Sequence, residues 1–281
     1  LGRQVGVPIV SDADAQAFLN AAEITNVTQA NAVNTLVIGM KAQGLWTKMK
    51  AIYPFVSDGA TSNDRALQHR FNLKDPRNLD AAFRLTFSGT WVHSNTGALP
   101  NGTNAFANTF LSLSNLSQTN THLSYYSRTA TDISGFPSVM GAFGNPNYER
   151  AAELYIRRPN QSNNGGGQLG SYLTSQVSFV ESSAQRFSII SRTSATSLKY
   201  YSNNILRATN TTSDTTGYGN FNIYLGASNG EGVGIPIPYA INFSQLQCAF
   251  ASIGDGLTDT DATNLYNLTQ TFQTTLGRQN P

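Results

Sequence analysis

The chain has 281 residues, of which 40% are hydrophobic and 12% charged, with a formal net charge of +2, 15 Phe and 12 Tyr. So many aromatic residues at so small a net charge exclude a disordered chain, and a charged share of about half the usual ~25% leaves solubility to Asn, Ser, Thr and Gly. The single cysteine, Cys248, excludes an internal disulfide and a cysteine-based zinc site, and it reads as a core residue between Leu246 and Phe250.

In chain order, residues 1–10 read as an extended arm because Gly2, Gly6 and Pro8 resist helix. Ser11 and Asp12 then offer a cap to a short helix carrying Ala15, Phe18, Leu19 and Ala22. A second helix is expected from Asn26 or Thr28, with Ala30, Val33, Leu36, Val37 and Met40 on one stripe and Gly44 as its stop. LWTKMKAIYPF follows with Lys41, Lys48 and Lys50 around it. Lysines beside aromatics lay their stems on a packed segment, so residues 11–56 are expected to form a helical segment lying on the main domain. With no basic stripe elsewhere, nucleic acid is not an expected partner.

From about Phe71 the texture changes to short alternating runs separated by Gly, Asn and Pro, among them AAFRLTFSGTWVHS, HLSYYSRT, SQVSFVES, RFSIISRTS, FNIYLGAS and LQCAFASIG. Regularly spaced short strands with no α/β alternation predict a mostly β fold, an antiparallel jelly-roll sandwich over residues 57–258. Asn203 and Asn204 in KYYSNNILR predict a tight hairpin. Residues 259–281 return to helix, with Asp259 or Thr260 as cap and Leu265, Phe272 and Leu276 at helical spacing, so helices bracket the sandwich. No apolar run approaches the length that crosses a bilayer as a helix, and membrane insertion is not expected.

AFASIGDGLTDTDATNLYNLTQTF resembles the closing strand, turn and helix of laminin-G-like and concanavalin A-like jelly rolls, with LSYYSRT and KYYSNNILRAT similar to two of their strands. SDADAQAF, GLWTKMKAIYPF, AAFRLTFSG, HLSYYSRT and IGDGLTDTDATNLYNLTQTFQTTLGR resemble phrases of uncharacterised structural proteins of tailed bacteriophages. That likeness implies a non-catalytic structural or adhesive module of an extracellular assembly, a virion or fibre protein, with other subunits of the particle and copies of itself as partners. The tetrapeptide LGRQ occurs at Leu1, Gly2, Arg3 and Gln4 and again at Leu276, Gly277, Arg278 and Gln279. Matching ends suit head-to-tail modules or repeated subunit contacts, so these eight residues are the expected assembly contacts.

Chemistry-bearing patterns are sparse. Glycoside hydrolysis needs two carboxylates facing one cleft, and no Glu-x-Asp-x-Glu run supplies them. Glu149 and Glu153, beside Arg150, Arg157 and Arg158, read as salt-bridged surface. His69, His93 and His122 fall in separate segments with no nucleophile elbow or zinc-helix motif, and GNFNIYLGASNGEGVG reads as a loop without the signature of a phosphate cradle. A lectin-like role on a host surface glycan is the alternative function, with Trp91, Tyr125, Tyr126 and Tyr218 as stacking platforms, and a polysaccharide-degrading enzyme using Tyr, His and Arg in place of paired carboxylates is a further, lesser one. No cofactor is expected beyond Ca²⁺ on Asp255, Asp259 and Asp261, although Asp259 and Asp255 also suit a helix cap and a turn.

Overall fold

The computed structural model describes residues 6–144, 150–171, 173–231 and 239–280. Asp12 starts α1 (Ala13–Ala21) by accepting from the backbone N–H groups of Asp14 and Ala15, and Asn26 starts α2 (Val27–Ala42) by accepting from that of Gln29. Gly44, at φ 68°, takes the left-handed turn just past the end of α2, a conformation that costs glycine least. The helical segment expected through residue 56 turns to strand at β1 (Met49–Tyr53), which joins a sheet. A third helix, α3 (Ser62–His69), lies where strands and turns were expected, started by a reciprocal capping box between Thr61 and Asp64.

Two sheets form the sandwich. One contains β1 with β3 (Trp91–Ser94), β4 (Gly97–Pro100), β6 (Thr121–Ser127), β11 (Phe187–Ser194), β12 (Ser197–Ser202), β13 (Ile205–Asn210) and β17 (Cys248–Gly254). Its order is β13-β12-β11-β6-β17-β4-β3, with β1 also on β17. The other contains β2 (Thr86–Ser88), β5 (Phe106–Ser112), β7 (Met140–Gly144), β8 (Ala151–Arg158), β9 (Asn164–Gly170), β10 (Gln176–Val180), β14 (Asn222–Leu225), β15 (Ser228–Glu231) and β16 (Ala240–Ile241). The order here is β10-β9-β8-β7-β14-β5-β2, with β15 against β7 and β16. Pairing between the described strands is antiparallel except for β15 on β7. The run FNIYLGAS supplies the expected strand as β14, because alternating Ile223 and Leu225 reach the core, while β15 lies in the Gly-rich stretch after it that was expected as a loop.

Asn203 and Asn204, at φ 45° and 64°, form the β12–β13 hairpin turn, where both central residues need positive φ. Strands β6 and β17 are buried along their whole length. One face of their sheet packs Leu123, Tyr125 and Ile253 against the second sheet. The other packs Tyr126, Phe187 and Phe250 beneath α1, α2 and α4 (Asp259–Thr275). Each large apolar side chain so buried contributes about 1.5–3 kcal/mol, so the helices are a third layer of the fold. They cover the eight-stranded sheet and leave the outer face of the nine-stranded one to loops, which positions the cleft described next.

Candidate functional site

Alternation along β8 sends Ala152, Leu154 and Ile156 into the core, so Glu153 and Tyr155 take the outer face. In β9, Gln168 pairs with Glu153 and shares that face. A register irregularity between Tyr155 and Arg158 brings the Arg158 guanidinium over the Tyr155 ring, 3.6 Å from its centroid. Gly141 lies opposite Glu153 in β7, and a Cβ there would stand 2.8 Å from the Ala152 carbonyl oxygen, so glycine permits the close approach.

Glu153, Arg158 and Gln168 line a cleft of about 340 Å³, completed by Phe136, Phe143, Gln161, Ile241 and Asn242. Glu153 and Arg158 form a buried ion pair at 2.9 Å. Glu153 Oε1 also accepts from the hydroxyls of Ser138 and Ser228, while Arg158 donates to Ser138 Oγ and the Pro137 carbonyl. The pair is therefore rigidly oriented from both strands and loop. Phe136, in the same lining, is 54% exposed and offers an unburied ring. The wall carrying Phe136 is fixed by Ser138 N–H donating to the Asn242 carbonyl and by Asp132, which accepts from Ser244 Oγ and from the backbone N–H of Gln245. Burial pushes the Asp132 carboxyl up to about 6, against those hydrogen bonds and the charge of Arg158. Chemically, the cleft offers an aromatic rim, a carboxylate, a guanidinium and three amides, the mix of apolar wall and fixed polar groups that orients a small ligand.

The aromatic residues expected as platforms lie elsewhere. Tyr125 is buried between the sheets, donating to the Leu246 carbonyl, and Tyr126 is buried under the helices, donating to Gln270 and accepting from the Asn280 backbone. Neither ring can stack on a solvent-borne ligand, because β6 is covered on both faces. Tyr218 packs half-buried against the inter-sheet core, and Trp91 is half-buried against Phe87 and His93 with its indole N–H on the Ser88 carbonyl.

Asp255, Asp259 and Asp261 each face a lysine: Lys50 at 3.8 Å, Lys199 at 2.6 Å and Lys48 at 2.5 Å. The cap of α4 is Thr258, with Asp261 closing its capping box, in place of the expected Asp259 or Thr260. Among the described residues no group of three His, Cys, Asp or Glu is arranged to hold a metal. Cys248 is buried, as its neighbours suggested, and burial drives its thiol pKa upward.

Leu1, Gly2, Arg3, Gln4 and Glu149 lie outside the described residues. At the other end, Gly277 is exposed at φ 65° and Gln279 accepts from Thr274, but Arg278 is buried. Its guanidinium donates to Gln273 and to the carbonyls of Pro54, Phe55 and Ala249, and burial pushes its pKa down to about 9. Arg278 thus fastens the end of α4 to the core and is not available as a subunit contact. The reading of Glu153 as surface is likewise corrected: Ser138 and Ser228, far away in sequence, enclose it.

The structure also joins residues that looked scattered. His69 and His93 lie with their Nδ1 atoms 3.0 Å apart, so one carries the proton and the other accepts it. Burial, and for His69 also the neighbouring imidazole, pushes both below the usual histidine range, His93 to about 4. His122 stands apart, held by the Asp255 carbonyl and Ser252.

No family model matches the chain, and no curated protein matches it. Among solved structures it is similar to domain 4 of AbnA, a GH43 extracellular arabinanase from Geobacillus stearothermophilus, in complex with arabinotriose. The identity is 14% over 78% of this chain and 98% of that one, with a TM-score of 0.47. It is similar to the botulinum neurotoxin serotype D binding domain at 11% identity over 79% of this chain and 52% of that one, TM-score 0.48. A third likeness is the NanB sialidase from Streptococcus pneumoniae, at 12% identity over 54% of this chain and 24% of that one, TM-score 0.41. The chain spans about half the length of the neurotoxin structure and a quarter of the sialidase.

Proposed function

We propose that this chain is a non-catalytic, lectin-like sandwich module that binds a glycan in the cleft between Phe136 and the Glu153–Arg158 pair. One observation carries the reading: an exposed aromatic ring, a fixed carboxylate–guanidinium pair and three amide side chains line one cleft of about 340 Å³. A sugar has nonpolar C–H faces and hydroxyl edges, and such a cleft meets both, the ring by stacking and the polar row by hydrogen bonds. Glu153 is the one carboxylate among the described residues lining the cleft, whereas glycoside hydrolysis in most enzymes engages two, which supports binding over turnover.

An extracellular setting follows from this reading. A place on a virion or fibre is supported by the sequence phrases that resemble those of phage structural proteins, and presence or absence in purified particles tests it. The binding test is a neutral-oligosaccharide array followed by calorimetry on the glycans that bind. Phe136→Ala is expected to weaken binding about tenfold while leaving the melting temperature unchanged, since loss of one aromatic contact is worth on the order of 1 kcal/mol. An array with no binder, or a Phe136→Ala variant of full affinity, overturns the assignment.

A further inference from the structure

Away from the cleft, a second groove of about 340 Å³ runs between α3 and β2. One side is Ala66 and Leu67 of α3 with Arg70 just beyond its end; the other is Arg84, Leu85, Thr86 and Phe87. The two sides are tied where the Leu85 N–H donates to the Arg70 carbonyl at 2.7 Å.

Of the two cations in this groove, Arg84 is paired with Asp80 and Arg70 has no such partner among the described residues. Arg84 is held by Asp80 and Asn78 through Nε and Nη1, which leaves Nη2 unused by those contacts. Arg70 is half-buried and has no acidic partner and no side-chain hydrogen bond among the described residues, and its Nε is shut off from solvent without an acceptor. Its close charged neighbour is Arg84, of the same sign. A half-buried guanidinium beside a second cation, with only the Phe71 ring 5.3 Å away to meet it among the described residues, is better satisfied when an anion completes it. Apart from Thr86 the remaining wall is apolar, with Leu67 55% exposed and Phe87 partly buried.

We propose that this groove binds an organic carboxylate with a nonpolar edge, of the sugar-acid class, its carboxylate held between Arg70 and Arg84 and its C–H edge on Leu67 and Phe87. A planar carboxylate matches the guanidinium fork, and its charge supplies the counter-ion that Arg70 lacks. The proposal is independent of the glycan cleft, because the two share no lining residue.

The test is a titration of the full, isotopically labelled chain with glucuronate, glucose and inorganic phosphate, read from the arginine side-chain N–H and leucine methyl signals in NMR spectra. Glucuronate is expected to shift the signals of Arg70 and Leu67 with millimolar affinity, with glucose and phosphate at least about tenfold weaker. Arg70→Gln and Arg84→Gln should each weaken glucuronate about tenfold or more, the loss of one charge-assisted pair, and Phe136→Ala should leave it unchanged. Arg70→Gln removes no side-chain hydrogen bond from the described chain, and the same spectra report whether the fold is kept. Glucose binding as well as glucuronate, phosphate binding as well as glucuronate, or an Arg70→Gln variant of full affinity each overturns the proposal.

Discussion

Replacing Arg158 with methionine keeps most of the side-chain volume and removes the charge that balances buried Glu153. The carboxylate, 4% exposed, retains the Ser138 and Ser228 hydroxyls as donors but loses its counter-ion. Breaking a buried pair in this way costs about 3–5 kcal/mol, and the open cleft on one side, which lets water reach the site, favours the lower end. At about 2.1 cal/mol/K of unfolding entropy per residue, a chain of 281 residues should lose roughly 5 °C of melting temperature. Glu153→Met/Arg158→Met together should lie within about 2 kcal/mol of the native protein, because replacing both members of a buried pair is often neutral. Urea unfolding followed by Trp fluorescence gives all the stabilities, and the double-mutant cycle isolates the coupling. The reasoning is refuted if Arg158→Met costs less than about 1 kcal/mol, or if the double variant is as unstable as the two single losses added.

Three other sites give sharp expectations. His122 is fully buried and pushed down to about 4, so the unfolded chain, near 6.5, takes up its proton first; the associated stability is whole above pH ~6.5 and falls by about 3 kcal/mol as pH drops toward 4. Asp132, pushed up to about 6, works in the opposite sense over part of that range, so the measurement is the difference in pH slope between native protein and His122→Gln, and equal slopes would falsify the assignment. Arg278→Met strips donors from the buried carbonyls of Pro54, Phe55 and Ala249 and should cost on the order of 3 kcal/mol or more, read by chemical denaturation. Thr258→Ala opens the capping box of α4 and should lower stability by about 1 kcal/mol, again checked by denaturant midpoint.

The sequence was most legible where a local rule acts alone. Asp12, Asn26 and Gly44 mark helix ends through their own side chains or their own φ, and Asn203 and Asn204 mark a turn by tolerating a left-handed backbone. Legibility fails where burial is set by distant chain. In Met49–Tyr53 both sheet faces are covered, so the strand loses the alternation that would have revealed it and reads like a helical stripe. Glu153 looked like surface because its sequence neighbours include Arg150, Arg157 and Arg158, while Ser138 and Ser228, which enclose it, come from other strands and loops. His69 and His93 meet only because α3 packs on β3. No spacing rule could have joined them. The cleft was missed for the same reason: Phe136, Gln168 and Asn242 converge through β8, β9 and the loops before β7 and after β16.

A chain with only 18 basic and 16 acidic residues nevertheless places Glu153, Arg158, Glu181, Arg186, Arg192 and Arg278 in its interior. Burying charge earns little stability in itself, since apolar residues of similar volume often serve as well, so each case asks for a separate reason. Arg278 has one in the carbonyls it ties at the end of α4, and Arg186 with Glu181 has one in bracing the segment between β10 and β11. Glu153 and Arg158 differ in lining an open cleft, on the sheet face that the helices leave uncovered. An apolar pair could hold β8 there equally well, but it could not present a fixed carboxylate and guanidinium to a ligand. On the proposed glycan reading the charge at that cleft is kept for recognition, and the double-methionine variant separates the two roles: it is expected to stay folded and to lose glycan binding.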